Sequence, residues 1–136
     1  MKRRVFAISA AIFGALTAVP VSAHHSFAAA FDANALITVQ GVITQVKLAN
    51  PHSWIYLDVK DANGKVEQWG FEAQTPTALI RSGVKPDVFK VGSTVTIRGC
   101  HARDVTKNEG AAREIVLADG RSYIIGPKGN EPDANR

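Results

Sequence analysis

The chain has 136 residues, a formal charge of +4 and one cysteine, Cys100. That length allows one domain, and a lone cysteine excludes an internal disulfide, so the fold must be held by its core. The basic excess sits at the start: without Lys2, Arg3 and Arg4, 13 basic residues face 12 acidic ones, and with no Lys/Arg run left the composition argues against a nucleic-acid partner.

Met1-Lys2-Arg3-Arg4 is followed by an uncharged stretch, Val5 to Val21, and Val21-Ser22-Ala23 puts small residues where a signal peptidase reads. Residues 1–23 are therefore expected to be a secretory signal peptide. Their apolar run is too short to anchor the chain across about 30 Å of hydrocarbon. The expected location is periplasmic, with no transmembrane anchor after cleavage. Residues 24–34 then form an N-terminal arm, 35–125 the folded domain, and 126–136, with two prolines, a disordered tail. In the arm, Phe27 and Phe31 are four apart, suited to one helical turn or to clipping the arm onto the domain.

Leu36 to Leu48 reads as a long first strand. Ile37 and Val39 alternate with polar neighbours, but after Gly41 the parity changes and Val42, Val46 and Leu48 share a face. A glycine at a phase change predicts a bulge or bend. Ser53 to Lys60 is the second strand and Val66 to Ala73 the third, joined through Asp61-Ala62-Asn63-Gly64, a strong hairpin signal. With Ala62, Asn63 and Gly64 as the loop, Leu57 faces Trp69 and Ile55 faces Phe71, giving an apolar core face. The other face has Trp54 opposite Glu72, Tyr56 opposite Gly70 and Asp58 opposite Gln68. A one-residue slip would put Ile55 against Glu72, and the alternation rejects it.

Thr75 to Gly83 reads as a short helix: Thr75 suits the cap, Pro76 the first position and Gly83 the position past the end. Ser93 to His101 is the fourth strand, Ala102 to Ala111 a polar loop, and Arg113 to Ala118 the fifth strand. Asp119-Gly120 turns the chain into a last strand at 121–125. The fold class is all-β with small helical content: a five- to six-stranded antiparallel OB-like barrel with one short helix between strands three and four. A different small antiparallel barrel or sandwich is the alternative.

His24-His25-Ser26-Phe27, the Asn50 to Val59 stretch with its Asn-Pro-His-x-Trp start, Asp61-Ala62-Asn63-Gly64 and Ala102-Arg103-Asp104 resemble an uncharacterised family of small exported bacterial proteins, domain of unknown function 6152. The resemblance spans about residues 24 to 125. It implies export and a small barrel and carries no particular chemistry. Gln74-Thr75-Pro76 departs from the expected Ser-Pro, and Cys100 from the usual noncysteine residue.

The chemistry-bearing residues fall into two sets. His52, Trp54, Tyr56 and Arg103 are the candidate ligand-binding residues. An aromatic pair on strand two can stack on a flat ligand, and His52 follows Pro51 in the loop beside it. The competing readings are that Phe27 and Phe31 cover the pair, or that a partner protein does. His24, His25, His52 and His101 are the candidate metal set, for copper or zinc: at a new N-terminus, His24 would offer both its ring and a free amine. Their opposite is an arm with incidental histidines. Cys100 and His101 point to opposite faces of a strand and cannot form a nucleophile–base pair, and burial of the thiol is the expectation. Arg103-Asp104 is expected to make a loop ion pair or turn contact. No nucleophile elbow, zinc-protease helix, phosphate loop or Cys-pair motif occurs, so no catalytic activity is evident. The expected function is an exported binding module for an unknown small ligand or envelope protein. The alternatives are a copper- or zinc-binding protein and a structural or stress-related envelope protein.

Overall fold

A computed structural model describes residues 27–127; the expected signal peptide, His24, His25 and most of the expected tail lie outside that range. One helical turn, α1 (Phe27–Ala30), leads into β1 (Phe31–Lys47). β2 (Ser53–Lys60), β3 (Val66–Ala73), α2 (Pro76–Arg81), a 3-10 turn (Pro86–Phe89), β4 (Thr94–Ala102), β5 (Glu109–Leu117) and β6 (Ser122–Ile124) follow. The chain is thus mostly β. Its strands run in the order β3-β2-β1-β4-β5-β6, all neighbours antiparallel, and β3 also pairs with β5 in parallel through Gly70–Glu109, Phe71–Gly110 and Glu72–Ala111.

The β2–β3 hairpin has the register expected from alternation: Ile55 faces Phe71, Leu57 faces Trp69 and Trp54 faces Glu72. Asp61 Oδ1 accepts from the amides of Asn63 and Lys65, at 2.8 and 2.9 Å, and Gly64 supplies the left-handed residue at φ +81°. Ile55, Leu57 and Phe71 are buried, and with Ile43, Val95, Ile97, Ile115 and Ile125 they fill the core. Each such side chain contributes about 1.5–3 kcal/mol by leaving water. α2 is capped as expected: Thr75 Oγ1 accepts from Ala78 N at 3.2 Å, and Gly83 follows the helix at φ +81°.

Four expectations are corrected. First, β1 starts at Phe31 rather than Leu36 and so takes in part of the arm. Phe31 is buried and pairs with Ala102, and the pairing then slips before Leu36 meets Cys100. Second, the inward residues after Gly41 are Ile43 and Val46, while Val42 and Leu48 are exposed. The change of parity comes from a bulge at Thr44, where the β1–β2 register shifts between Ile43 and Gln45. Gly41 has another role: a Cβ there would lie 2.6 Å from the Asp58 carbonyl oxygen, so it lets β1 approach β2 closely. Third, β5 starts at Glu109 rather than Arg113. Gly110 packs where a Cβ would meet the Cys100 carbonyl at 2.7 Å and Phe71 at 2.9 Å. What reads as a polar loop is thereby drawn into the sheet. The presumed tail also begins late, since Gly126 is buried and donates its amide to Arg113 O at 3.1 Å.

β1 makes two partnerships along its length. Leu36 to Val42 pair with β4, and Val42 to Lys47 pair with β2. This long bent strand places the β1–β2 loop, with its cis Asn50–Pro51 peptide, beside the first residues of β2.

Candidate functional site

Alternation sends Trp54 and Tyr56 to the side of β2 away from the core, where both are half-buried. Their rings lie 6.2 Å apart at an interplanar angle of 20°. Gly70 stands opposite Tyr56 on β3, and a Cβ there would come within 3.2 Å of Tyr56 Cε1 and 3.6 Å of Trp54 Cε3. The missing side chain lets both rings settle against the sheet. Aromatic cover over a strand glycine also stabilises a sheet, so the pair has a structural role whatever else it does.

Polar groups edge the two rings. The Thr44 bulge sets Gln45 opposite Tyr56 and Lys47 opposite Trp54. Lys47 Nζ sits 5.3 Å from the centre of the Tyr56 ring, a cation–π contact. Thr44 Oγ1 donates to Tyr56 O at 3.3 Å. Beyond Trp54, His52 Nδ1 lies 3.1 Å from Glu72 Oε1. Nδ1 is buried and makes no hydrogen bond among the described residues. The His52 side chain is 41% exposed and that of Glu72 19%. Burial pushes the Glu72 carboxyl above its ordinary value, and the attraction of His52 pulls it back only in part.

The other candidates go elsewhere. Arg103 straps the arm: its amide donates to Ala30 O at 2.9 Å and its Nε to Ala28 O. Asp104 turns to Thr106, accepting from its amide at 3.1 Å and its hydroxyl at 2.6 Å. Arg103 and Asp104 therefore act separately rather than as an ion pair. Phe27 and Phe31, with ring centres 5.3 Å apart, pack on Cys100, Ala102 and Ala111. The described part of the arm thus covers β4 and β5, not Trp54 and Tyr56, which overturns the expectation of cover there. Cys100 is buried, as expected, and burial raises its thiol pKa.

His101 meets Trp69 edge-on at 5.5 Å, and its Nδ1 lies 2.8 Å from Ala102 O. A carbonyl can only accept, so Nδ1 carries the proton. Trp69 and Glu72 are three residues apart on β3 and face opposite sides. His52 and His101 are therefore on opposite sides of the sheet and cannot share a metal. Among the described residues no group of three or more His, Cys, Asp or Glu is placed to hold one. The metal reading would rest on His24 and His25, outside the described residues.

Lys47 and Glu72 are the members that residue type alone does not pick out. Glu72 was legible from the hairpin register, which sets it opposite Trp54. Lys47 was not, because its place depends on the bulge at Thr44.

A model of the Family of unknown function (DUF6152) matches residues 14–112. No curated protein matches the chain, and no solved structure does.

Proposed function

We propose that this chain, which belongs to the Family of unknown function (DUF6152), is an exported binding module built on an OB-like barrel. Its ligand face is the outer side of β2 and β3. The barrel reading is supported by the double partnership of β1 and by the parallel β3–β5 pairing, which joins β1, β2, β3, β5 and β4 in a ring. In such barrels the strand 2–3 face and the loop between strands one and two form the ligand surface. Here those parts carry Trp54 and Tyr56, and His52.

The observation that carries the proposal is the open aromatic pair. Two half-buried rings lie nearly parallel on the outer face, while the described arm packs on other strands. An enzyme needs a nucleophile or an acid–base pair beside bound substrate. The face offers His52 and Glu72 with Nδ1 and Oε1 3.1 Å apart, and binding is the simpler use of it.

The test is fluorescence of the Trp69→Phe variant, which leaves Trp54 as its only tryptophan. Neutral oligosaccharides, an oligonucleotide, a polyuronate and free aromatic amino acids are titrated in turn. At least one should shift the emission saturably; if all leave it unchanged, the binding face is rejected. Export is tested separately by intact mass after expression in a Gram-negative bacterium. A periplasmic species beginning at His24 or Ala23 is expected, and a mature protein retaining Met1 overturns export.

A further inference from the structure

Resting on that reading of the β2–β3 face, we infer that its ligand is an uncharged oligosaccharide chain. The face has two properties that separate ligand classes: its charge and its shape.

Charge comes first. Asp58 lies on the same side of β2 as Trp54 and Tyr56, and Glu72 faces Trp54. Glu109 pairs with Gly70 and so shares that side. Three carboxylates thus share that side with two ammonium groups: Lys47, which sits over Tyr56, and Lys60, which alternation puts on the side of Asp58. Nucleic-acid affinity is driven mainly by cations that neutralise phosphates, and on this face acidic groups are in excess. The same argument removes polyuronates and other polyanions. Stacking platforms for single-stranded nucleic acid combine aromatic rings with a basic groove; here the rings are present without the groove.

Shape comes second. A small aromatic solute binds well when a cavity encloses most of its surface. Trp54 and Tyr56 instead lie nearly parallel on the outer side of the sheet, both within reach of the bare Gly70. Such a surface suits the apolar C–H face of a sugar ring, which keeps its hydroxyls at the edges. The groups at the edges match: Gln45 opposite Tyr56 and Gln68 opposite Asp58 offer amides, and Asp58 and Glu72 offer carboxylate acceptors. Amides and carboxylates exchange hydrogen bonds with hydroxyls without needing charge on the ligand. The two rings, 6.2 Å apart, are placed for two consecutive sugars.

Linked sugars engage both rings at once, so a chain should bind more tightly than its monomer by about tenfold or more. The probes are cellotetraose, the N-acetylglucosamine tetramer and their monosaccharides, with tetragalacturonate and an oligothymidylate as polyanions. They are titrated into the Trp69→Phe protein by fluorescence and into the native protein by calorimetry. At least one neutral tetramer should bind, more tightly than its monosaccharide, and the polyanions should not. Calorimetric binding should disappear in Trp54→Ala and weaken in Glu72→Gln. The second variant preserves shape and keeps the test intact if the first unfolds. Saccharide binding that survives in folded Trp54→Ala overturns the inference, as does binding of monomer and tetramer with equal affinity. Binding by oligothymidylate or an aromatic amino acid at Trp54, with no response to sugars, overturns the saccharide inference and leaves the binding face standing. Silence from every probe overturns both. If sugar binding is found, insoluble peptidoglycan and soluble tetramer in competing pull-downs distinguish a wall polymer from a free oligosaccharide as its source.

Discussion

On β4 and β5 the side of the sheet away from the core carries Cys100, Ala102 and Ala111; on β2 and β3 it carries Trp54, Tyr56 and Glu72. The first set is small and apolar and leaves a trough, which Phe27 and Phe31 fill. The second set is large and covers its own glycine, Gly70. Small outward residues therefore attract the chain's own arm, and large ones leave nothing for it to bury. The covered side is finished by the protein itself. The open side combines the two half-buried rings with polar groups at their edges, Lys47 and Glu72 among them.

That comparison can be broken at its covered side first. Phe31→Ala removes a buried ring and should cost about 3 kcal/mol in a urea melt. It should also expose Cys100 to a thiol reagent while leaving Trp54 emission in place. If Trp54 emission moves as much as thiol reactivity, the two surfaces are not independent. Arg103→Gln removes the side-chain hydrogen bond to the Ala28 carbonyl. At about 1 kcal/mol for that bond, Cys100 labelling should rise about fivefold. An unchanged rate would mean that the arm holds without its strap.

At the open side the effects are smaller. The Glu72 carboxyl is raised by burial, so the folded state holds its proton more tightly than the unfolded state does. Its contribution to stability is full below the unfolded carboxyl range and is lost as pH rises through the folded value. Glu72→Gln should flatten that fall and make the protein slightly more stable at neutral pH; a steeper fall in the variant's pH–stability curve would contradict the assignment. Gly70→Ala is the mildest change. Its new Cβ would meet Tyr56 Cε1 at 3.2 Å, so the ring must give by a few tenths of an ångström. Stability should stay within about 0.5 kcal/mol, while the near-ultraviolet circular dichroism of the Trp54–Tyr56 pair should change. An unchanged spectrum would mean that the glycine is not what seats the rings.

Much of the open side was legible in the sequence. Alternation in Ile55, Leu57 and Val59, with an Asn-Gly turn of known loop length, fixes which side chains face out and what stands opposite each. The arm's destination was not legible in the same way. Phe27 and Phe31 announce a clip but not its target, and Trp54 and Tyr56 looked the natural one. The useful signal was the small size of Cys100, Ala102 and Ala111, which only becomes a trough once β4 and β5 pair. The bulge at Thr44 has no residue signal at all: an extra threonine in a strand looks like any other. Gly41 suggested a bend and is a point of close contact instead. Glu109 to Ala111 read as loop because the stretch before Ala112 is polar and carries Gly110, although that glycine is what lets β5 pass close to Phe71 and Cys100.

The double partnership of β1 has a mechanical consequence. One continuous strand is a member of both the β1–β2 and the β1–β4 ladders, which meet at Val42, so global unfolding of one ladder removes a strand that the other also uses. The two surfaces can differ in what they bind and in how they are covered, yet they should unfold in one transition, with Trp54 and Cys100 reporting the same midpoint.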